Sequence, residues 1–245
     1  MQLNNQPKIQ SRLFGTSGVR GVVHKDLNID LLYNLGQAIA TNLPPHSWII
    51  IANDTRKSRA VVKTAVEMGL IASGVHVLDV GTLPTPALAY VTRNAGVNAG
   101  IMITASHNPP EYNGVKIFSA DGIGYNREHE KSIEQIYSRG IFRNESGSFQ
   151  YAFDLQHSYF NYLKKQPDAA VFAKKFRLVI DPGNGAASKY ASDLFSALGL
   201  EVYPINDIAD GAFPGRNPEP RADTLTKTYE FLKKKHADLA ICFDG

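Results

Sequence analysis

Cysteine is nearly absent from this chain. Cys242 stands alone among 245 residues, so no internal disulfide can form and the fold must rest on packing. That usage fits a reducing cytoplasm. Cys242 lies in the apolar run Leu239 to Phe243 and reads as an inert buried thiol rather than a nucleophile. Long hydrophobic runs are missing too: none approaches the ~20 residues of a membrane span. Residues 1–10 are polar and lack the apolar core of a signal peptide. A soluble cytoplasmic protein without membrane contact is expected. Charge of one sign is equally scarce. The 26 Lys and Arg against 23 Asp and Glu leave a net +3. The densest basic run, Lys233-Lys234-Lys235, reads as the solvated end of a helix, so no nucleic-acid partner is expected. Finally, no Gly-Lys-Ser/Thr completes a P-loop, and no Gly-x-Ser-x-Gly elbow presents a hydrolase serine.

What is present is 43% hydrophobic residues in an alternation of short apolar runs and amphipathic stretches. Trp48 to Ala52, Val75 to Val80 and Asn98 to Thr104 read as buried strands. Helical spacing of apolar residues from Ser58 to Ser73, closed by Gly74, and a short helix from Ala87 to Asn94 lie between them. The order then repeats. Strands are expected at Arg177 to Asp181, Leu200 to Ile205 and Asp238 to Phe243, with helices over Ala186 to Leu198 and Thr224 to His236. Such alternation predicts an α/β protein of two similar three-layer domains with mixed, mostly parallel sheets. The linker is placed near Arg143 to Gln150, which gives domains of 1–148 and 149–245, the second opening with a helix from Leu155 to Gln166.

Three stretches carry candidate chemistry. The first runs from Thr104 to Phe118, where a buried strand opens into Thr104-Ala105-Ser106-His107-Asn108, is stopped by Pro109 and Pro110, and continues into an apolar run that holds Lys116. Ser106 reads either as a nucleophile at a sheet edge or as a local turn cap, and for a lone Ser-His pair the cap carries more weight. An adjacent His on an extended chain points away from the serine. The second stretch is Phe14 to Gly21, where Gly15, Thr16, Ser17 and Gly18 precede Arg20. Such a loop is a phosphate cradle or a plain turn. The third is Asp244-Gly245 after an apolar strand, either the start of an acidic metal loop or a strand-end turn.

Taken together, these three stretches resemble the α-D-phosphohexomutases, the family of phosphoglucomutase, phosphomannomutase and phosphoglucosamine mutase. Members have four domains around one cleft, and this chain resembles the first two. The resemblance implies that Ser106 is the phosphoserine, which converts a hexose 1-phosphate to a hexose 1,6-bisphosphate and recovers a phosphoryl group to leave the 6-phosphate. It implies catalytic roles for Ser106, Lys116, Arg20 and His107, and phosphate or substrate binding by Thr16, Ser17 and Asn108. It further implies Mg²⁺ held by Asp244 and by Ser106 through its phosphate. No catalytic role falls on Asn217 to Pro220, and Asp181 to Gly185 reads as a tight turn. The family's metal loop runs Asp-Gly-Asp-x-Asp-Arg, of which only the first two residues are here. An incomplete, inactive fragment, prone to self-association through surfaces left bare, is therefore expected. The Phe14 to Gly18 loop departs from an Asp-containing version associated with phosphoglucosamine mutases, which favours glucose or mannose as the sugar. The competing readings are phosphoglucosamine mutase, a non-catalytic phosphate-binding module and, more distantly, a serine hydrolase.

Overall fold

The structure is a computed structural model that describes residues 12–15, 18–167, 176–188 and 190–245. The expected Thr16 and Ser17 therefore lie outside the described residues. In the first half, strands β1 (Val19–Val22), β2 (Trp48–Asn53), β3 (His76–Thr82), β4 (Ala99–Ile103), β5 (Tyr112–Ser119) and β6 (Phe149–Tyr151) form one sheet in the order β1-β5-β4-β2-β3-β6. Pairings among β4, β2, β3 and β6 are parallel, while β1 and β5 join antiparallel.

Alternate residues of each strand feed opposite layers, because successive side chains on a strand point to opposite faces. Ile49, Ile51, Val77, Ile101 and Ile103 pack with helices α1 (Ile29–Asn42), α2 (Arg59–Ala72) and α4 (Arg127–Arg139). Ile50, Ala52, Leu78, Val80 and Met102 pack on the other face with α3 (Thr85–Asn94) and α5 (Gln156–Lys164). Helices α1 and α4 go beyond those expected. Each starts at an asparagine that accepts backbone N–H groups: Asn28 from Leu31, and Asn126 from Glu128 and His129.

The second half has a three-stranded parallel sheet of β7 (Arg177–Asp181), β8 (Glu201–Pro204) and β9 (Leu239–Cys242), ordered β8-β7-β9. This repeats the β3-β2-β4 part of the first sheet. Helix α6 (Ala191–Ala197) covers the Leu178 and Ile180 face, and α7 (Thr226–Lys235) lies on the other, where Thr228 bonds Asp181. The protein is thus two α/β units with mostly parallel sheets.

Three local expectations change. Helix α6 begins at Ala191 rather than Ala186, because residues around Gly183 to Ser188 form turns at the domain boundary. The stretch from Phe149 to Tyr151, which overlaps the end of the expected linker, pairs with β3 and extends the first sheet. Helix α5 does not simply open the second domain. Its Tyr159 and Phe160 pack into the first domain's lower core, and Phe160 stacks on Tyr190 at 4.0 Å between ring centres.

Candidate active site

In open α/β sheets, the loops after parallel strands gather at one sheet edge, and ligands bind there. Here Asp54 to Arg56 follow β2, Thr104 to Ser106 follow β4, and Phe243 to Gly245 follow β9. The two domains turn these edges toward each other. Between them lies a cleft of about 620 Å³, whose lining includes Arg20, Ser106, Lys116 and Asp244.

Ser106 has a left-handed backbone, φ +53°, which is uncommon for a residue with a side chain. Its N–H donates to Thr104 Oγ1 at 2.9 Å, and its carbonyl accepts from Arg56 at 2.7 Å. Its hydroxyl donates to Asp244 Oδ2 at 2.7 Å, a direct bond from one domain to the other. The left-handed turn also brings His107 Nδ1 to 3.5 Å from Ser106 Oγ, so the expectation that an adjacent His points away fails. The imidazole stands between two carboxylates of the second domain, with Nδ1 3.6 Å from Asp244 and Nε2 3.5 Å from Glu219. Glu219 belongs to the Asn217 to Pro220 loop, for which no catalytic role is expected.

Arg20 arrives on β1, paired opposite Gly114 of β5. The approach is tight: a Cβ on Gly18, where φ is +87°, would lie 2.4 Å from the Val115 carbonyl oxygen, so only glycine fits. Arg20 Nη1 donates to Asn108 Oδ1 over a long 3.4 Å, and its Nε is buried without a partner. Burial pulls the Arg20 pKa below its ordinary value; Asp244 opposes that pull and the charge of Arg56 adds to it. Lys116 enters the same cleft from β5, where it pairs opposite Met102, with its ammonium 5.1 Å from the Phe118 ring centre.

Two buried ion pairs stand behind these groups, and sequence reading passed over both arginines. Arg56 is fully buried and pairs with Asp54 at 3.1 Å. Burial pushes the Asp54 carboxyl up, against Arg56 and the Thr104 hydroxyl, which donates to it at 2.6 Å. Arg216 pairs with the buried Asp181 at 2.9 Å. Asp181 also accepts from Gly183 N–H, which agrees with reading Asp181 to Gly185 as a tight turn. The available signal was an acid at the end of a central apolar strand, Asp54 or Asp181. Such a buried carboxylate needs a cationic partner, but spacing names Arg56 only in the first case.

Family comparison fits this arrangement. The sequence model of phosphoglucomutase/phosphomannomutase alpha/beta/alpha domain I matches residues 11–144, and that of domain II matches residues 157–245. The chain belongs to the phosphoglucomutase/phosphomannomutase family. Within this family it is similar to a phosphoglucosamine/phosphogalactosamine mutase of Sulfurisphaera tokodaii, 37% identical over 240 residues, covering 96% of this chain and 53% of that one. It is also similar to a phosphoglucomutase/phosphomannomutase of Thermococcus kodakarensis, 35% identical over 243 residues with the same two coverages. A crystal structure of a phosphoglucomutase/phosphomannomutase family protein from Burkholderia thailandensis superimposes with a TM-score of 0.86 at 30% identity, covering 95% of this chain and 52% of that one. The chain spans about half the length of the curated relatives it matches. Of the residues lining the cleft, Arg20, Ser106 and Lys116 lie in the part matched by domain I and Asp244 in the part matched by domain II.

Proposed function

We propose that this chain carries the phosphoryl-donor part of a mutase that exchanges the 1- and 6-phosphates of a hexose. The observation that carries the reading is the Ser106 hydroxyl, held on a left-handed turn 2.7 Å from Asp244 in a cleft with two cations. Ser106 bears the phosphoryl group. A sugar hydroxyl oxygen attacks phosphorus, the bond to Ser106 Oγ breaks, and in net the proton lost by the sugar hydroxyl goes to Ser106 Oγ, which leaves as a hydroxyl. The resulting bisphosphate turns around, and its other phosphoryl group returns to Ser106. Phosphoryl transfer needs alignment and charge neutralisation more than covalent help. Arg20, whose buried Nε lacks a protein partner, and Lys116 offset the charge on the phosphoryl oxygens. His107 and Asn108 orient the loop. Thr16 and Ser17, outside the described residues, are assigned to add hydroxyls for phosphate on sequence grounds alone.

Mg²⁺, when bound beside the phosphoserine, supplies further positive charge. The residues in hand fit it only in part. Asp244 and the Ser106 oxygen stand together, but no cluster of three or more His, Cys, Asp or Glu able to hold a metal occurs among the described residues. One carboxylate does not fill the six-oxygen shell that Mg²⁺ demands.

The relatives' names span amino-hexose, hexose and pentose phosphates, and the amino-hexose names make a glucosamine phosphate the second reading for the substrate. Incubation with glucose 1,6-bisphosphate or glucosamine 1,6-bisphosphate, followed by mass spectrometry, tests both. The expected product gains one phosphoryl group at Ser106, and Ser106→Ala gains none. No incorporation from either sugar sinks the donor role and favours a phosphate-binding module.

A further inference from the structure

Each domain buries one arginine in the same relation to its sheet. In the first, Arg56 spends all five guanidinium N–H groups on the protein. Nε bonds Asp54, and the two terminal nitrogens bond the carbonyls of Ser106 at 2.7 Å, Asn108 at 2.6 Å, Pro109 at 2.5 Å and Tyr112 at 2.9 Å. In the second, Arg216 also makes five bonds. Nε goes to the Asp181 carboxylate at 2.9 Å, and the terminal nitrogens go to the carbonyls of Asp181 at 3.2 Å, Phe243 at 2.6 Å, Asn217 at 3.0 Å and Pro218 at 3.4 Å. The acids are equivalent, since Asp54 follows β2 and Asp181 ends β7, the central strands of the matching three-strand sets. The gripped loops are equivalent as well, following β4 and β9. The arginines are not: Arg56 lies two residues from its acid, whereas Arg216 lies 35 away. The same device is therefore built from different parts of the chain.

We propose that Arg56 and Arg216 are paired positioning residues, which hold the Ser106 loop and the Asp244 loop by their backbone carbonyls and thereby fix the Ser106-to-Asp244 contact across the cleft. Neither guanidinium is bonded to the Ser106 hydroxyl or the Asp244 carboxylate; each acts one peptide away, through the Ser106 carbonyl or the Phe243 carbonyl. Five donors in a rigid plane fix several carbonyls at once, which the three rotating donors of a lysine do not. The anchoring also explains how a non-glycine residue holds the left-handed turn at Ser106: its carbonyl is tied from below and its N–H by Thr104. In the second domain, Gly183 makes room for the guanidinium, since a Cβ there would lie 2.7 Å from Arg216 Cζ.

The catalytic consequence rests on the phosphoserine reading, while the anchoring does not, and two readouts separate them. Hydrogen exchange on Arg56→Lys is expected to speed the Ser106, Asn108 and Tyr112 amides about tenfold or more, with β2 and β4 unchanged. Arg216→Lys does the same for Gly183, Glu219 and Phe243. Phosphoryl incorporation at Ser106 from a sugar bisphosphate slows about a hundredfold in either variant, with its half-saturating concentration nearly constant. Added guanidinium recovers much of the rate in Arg56→Ala. If Arg56→Lys fails to fold, the isosteric Asp54→Asn, which loosens the same guanidinium, serves for both readouts. Unchanged loop exchange in the folded variants overturns the anchoring. Faster exchange with unchanged incorporation overturns the link to Ser106. A wild-type chain that takes up no phosphoryl group removes the phosphoserine reading, and the exchange data still decide whether the arginines anchor the loops.

Discussion

Glu67 shows how far one buried side chain shapes the pH response. It sits on α2 at 7% exposure, its Oε1 has no hydrogen-bond partner, and it shares its surroundings with the Lys63–Asp79 ion pair at 2.7 Å. Burial first, and then the charge of Asp79, push its carboxyl from 4.5 up to about 7, with Lys63 opposing. Between those two values the folded chain holds a proton that the unfolded chain has released. Stability therefore falls as pH rises from 4.5 through 7 and is level above, by roughly 3 kcal/mol in all. Glu67→Gln is expected to match wild type at pH 5 and to exceed it at pH 8 in urea unfolding; equal stability at pH 8 would contradict this. Among the catalytic candidates, Ser106, Lys116 and Arg20 were legible as residue types within a dense motif. Arg56 and Arg216 were not, because their role depends on which carbonyls surround them, and those come from residues far along the chain.

Among the elements, α1 and α2 cross where two glycines meet. A Cβ on Gly69 would stand 2.0 Å from the Tyr33 carbonyl oxygen, and one on Gly36 would stand 2.3 Å from that of Val66. Helix propensity favours Gly69→Ala by about 1 kcal/mol, but forcing two backbones apart costs about 1–3 kcal/mol or more. Packing should win, so Gly69→Ala is expected to lower stability by about 2 kcal/mol; a gain would show that the helices separate freely. The strands β2, β3, β4 and β7 were readable because they are short, apolar and punctuated by polar turns. Helix α4 was harder to read: only Glu130 and Ile133 are buried in a largely polar helix. The placement of β6 was unreadable because a three-residue strand gains its identity from the partner β3.

For the whole molecule, the question is what keeps the two domains in register. Thr55 Oγ1 donates to the Asn184 carbonyl at 3.0 Å, and the Arg56 guanidinium stands 5.3 Å from the Phe213 ring centre. The Tyr190 hydroxyl donates to Gln156 Oε1 at 2.5 Å, its ring stacks on Phe160, and burial pushes its pKa up to about 12. Tyr190→Phe keeps the stack but deprives the buried Gln156 amide oxygen of this donor, a loss of about 1–2 kcal/mol. Urea unfolding should register that loss, and a change near zero would mean that stacking alone holds the joint. No helix among the described residues is long and apolar enough to cross a membrane.

By itself the sequence determined the class of fold, the repeated order of strands and helices, and the residue types gathered in the polar loops. These follow from local periodicity and from motifs whose residues are neighbours in the chain. Only the tertiary structure decided that Ser106 meets Asp244, 138 positions away, at 2.7 Å. It alone set His107 between Asp244 and Glu219 and put a fully bonded arginine behind each loop. Those contacts join separate domains, and their geometry depends on how two sheet edges face each other, which no spacing along the chain encodes.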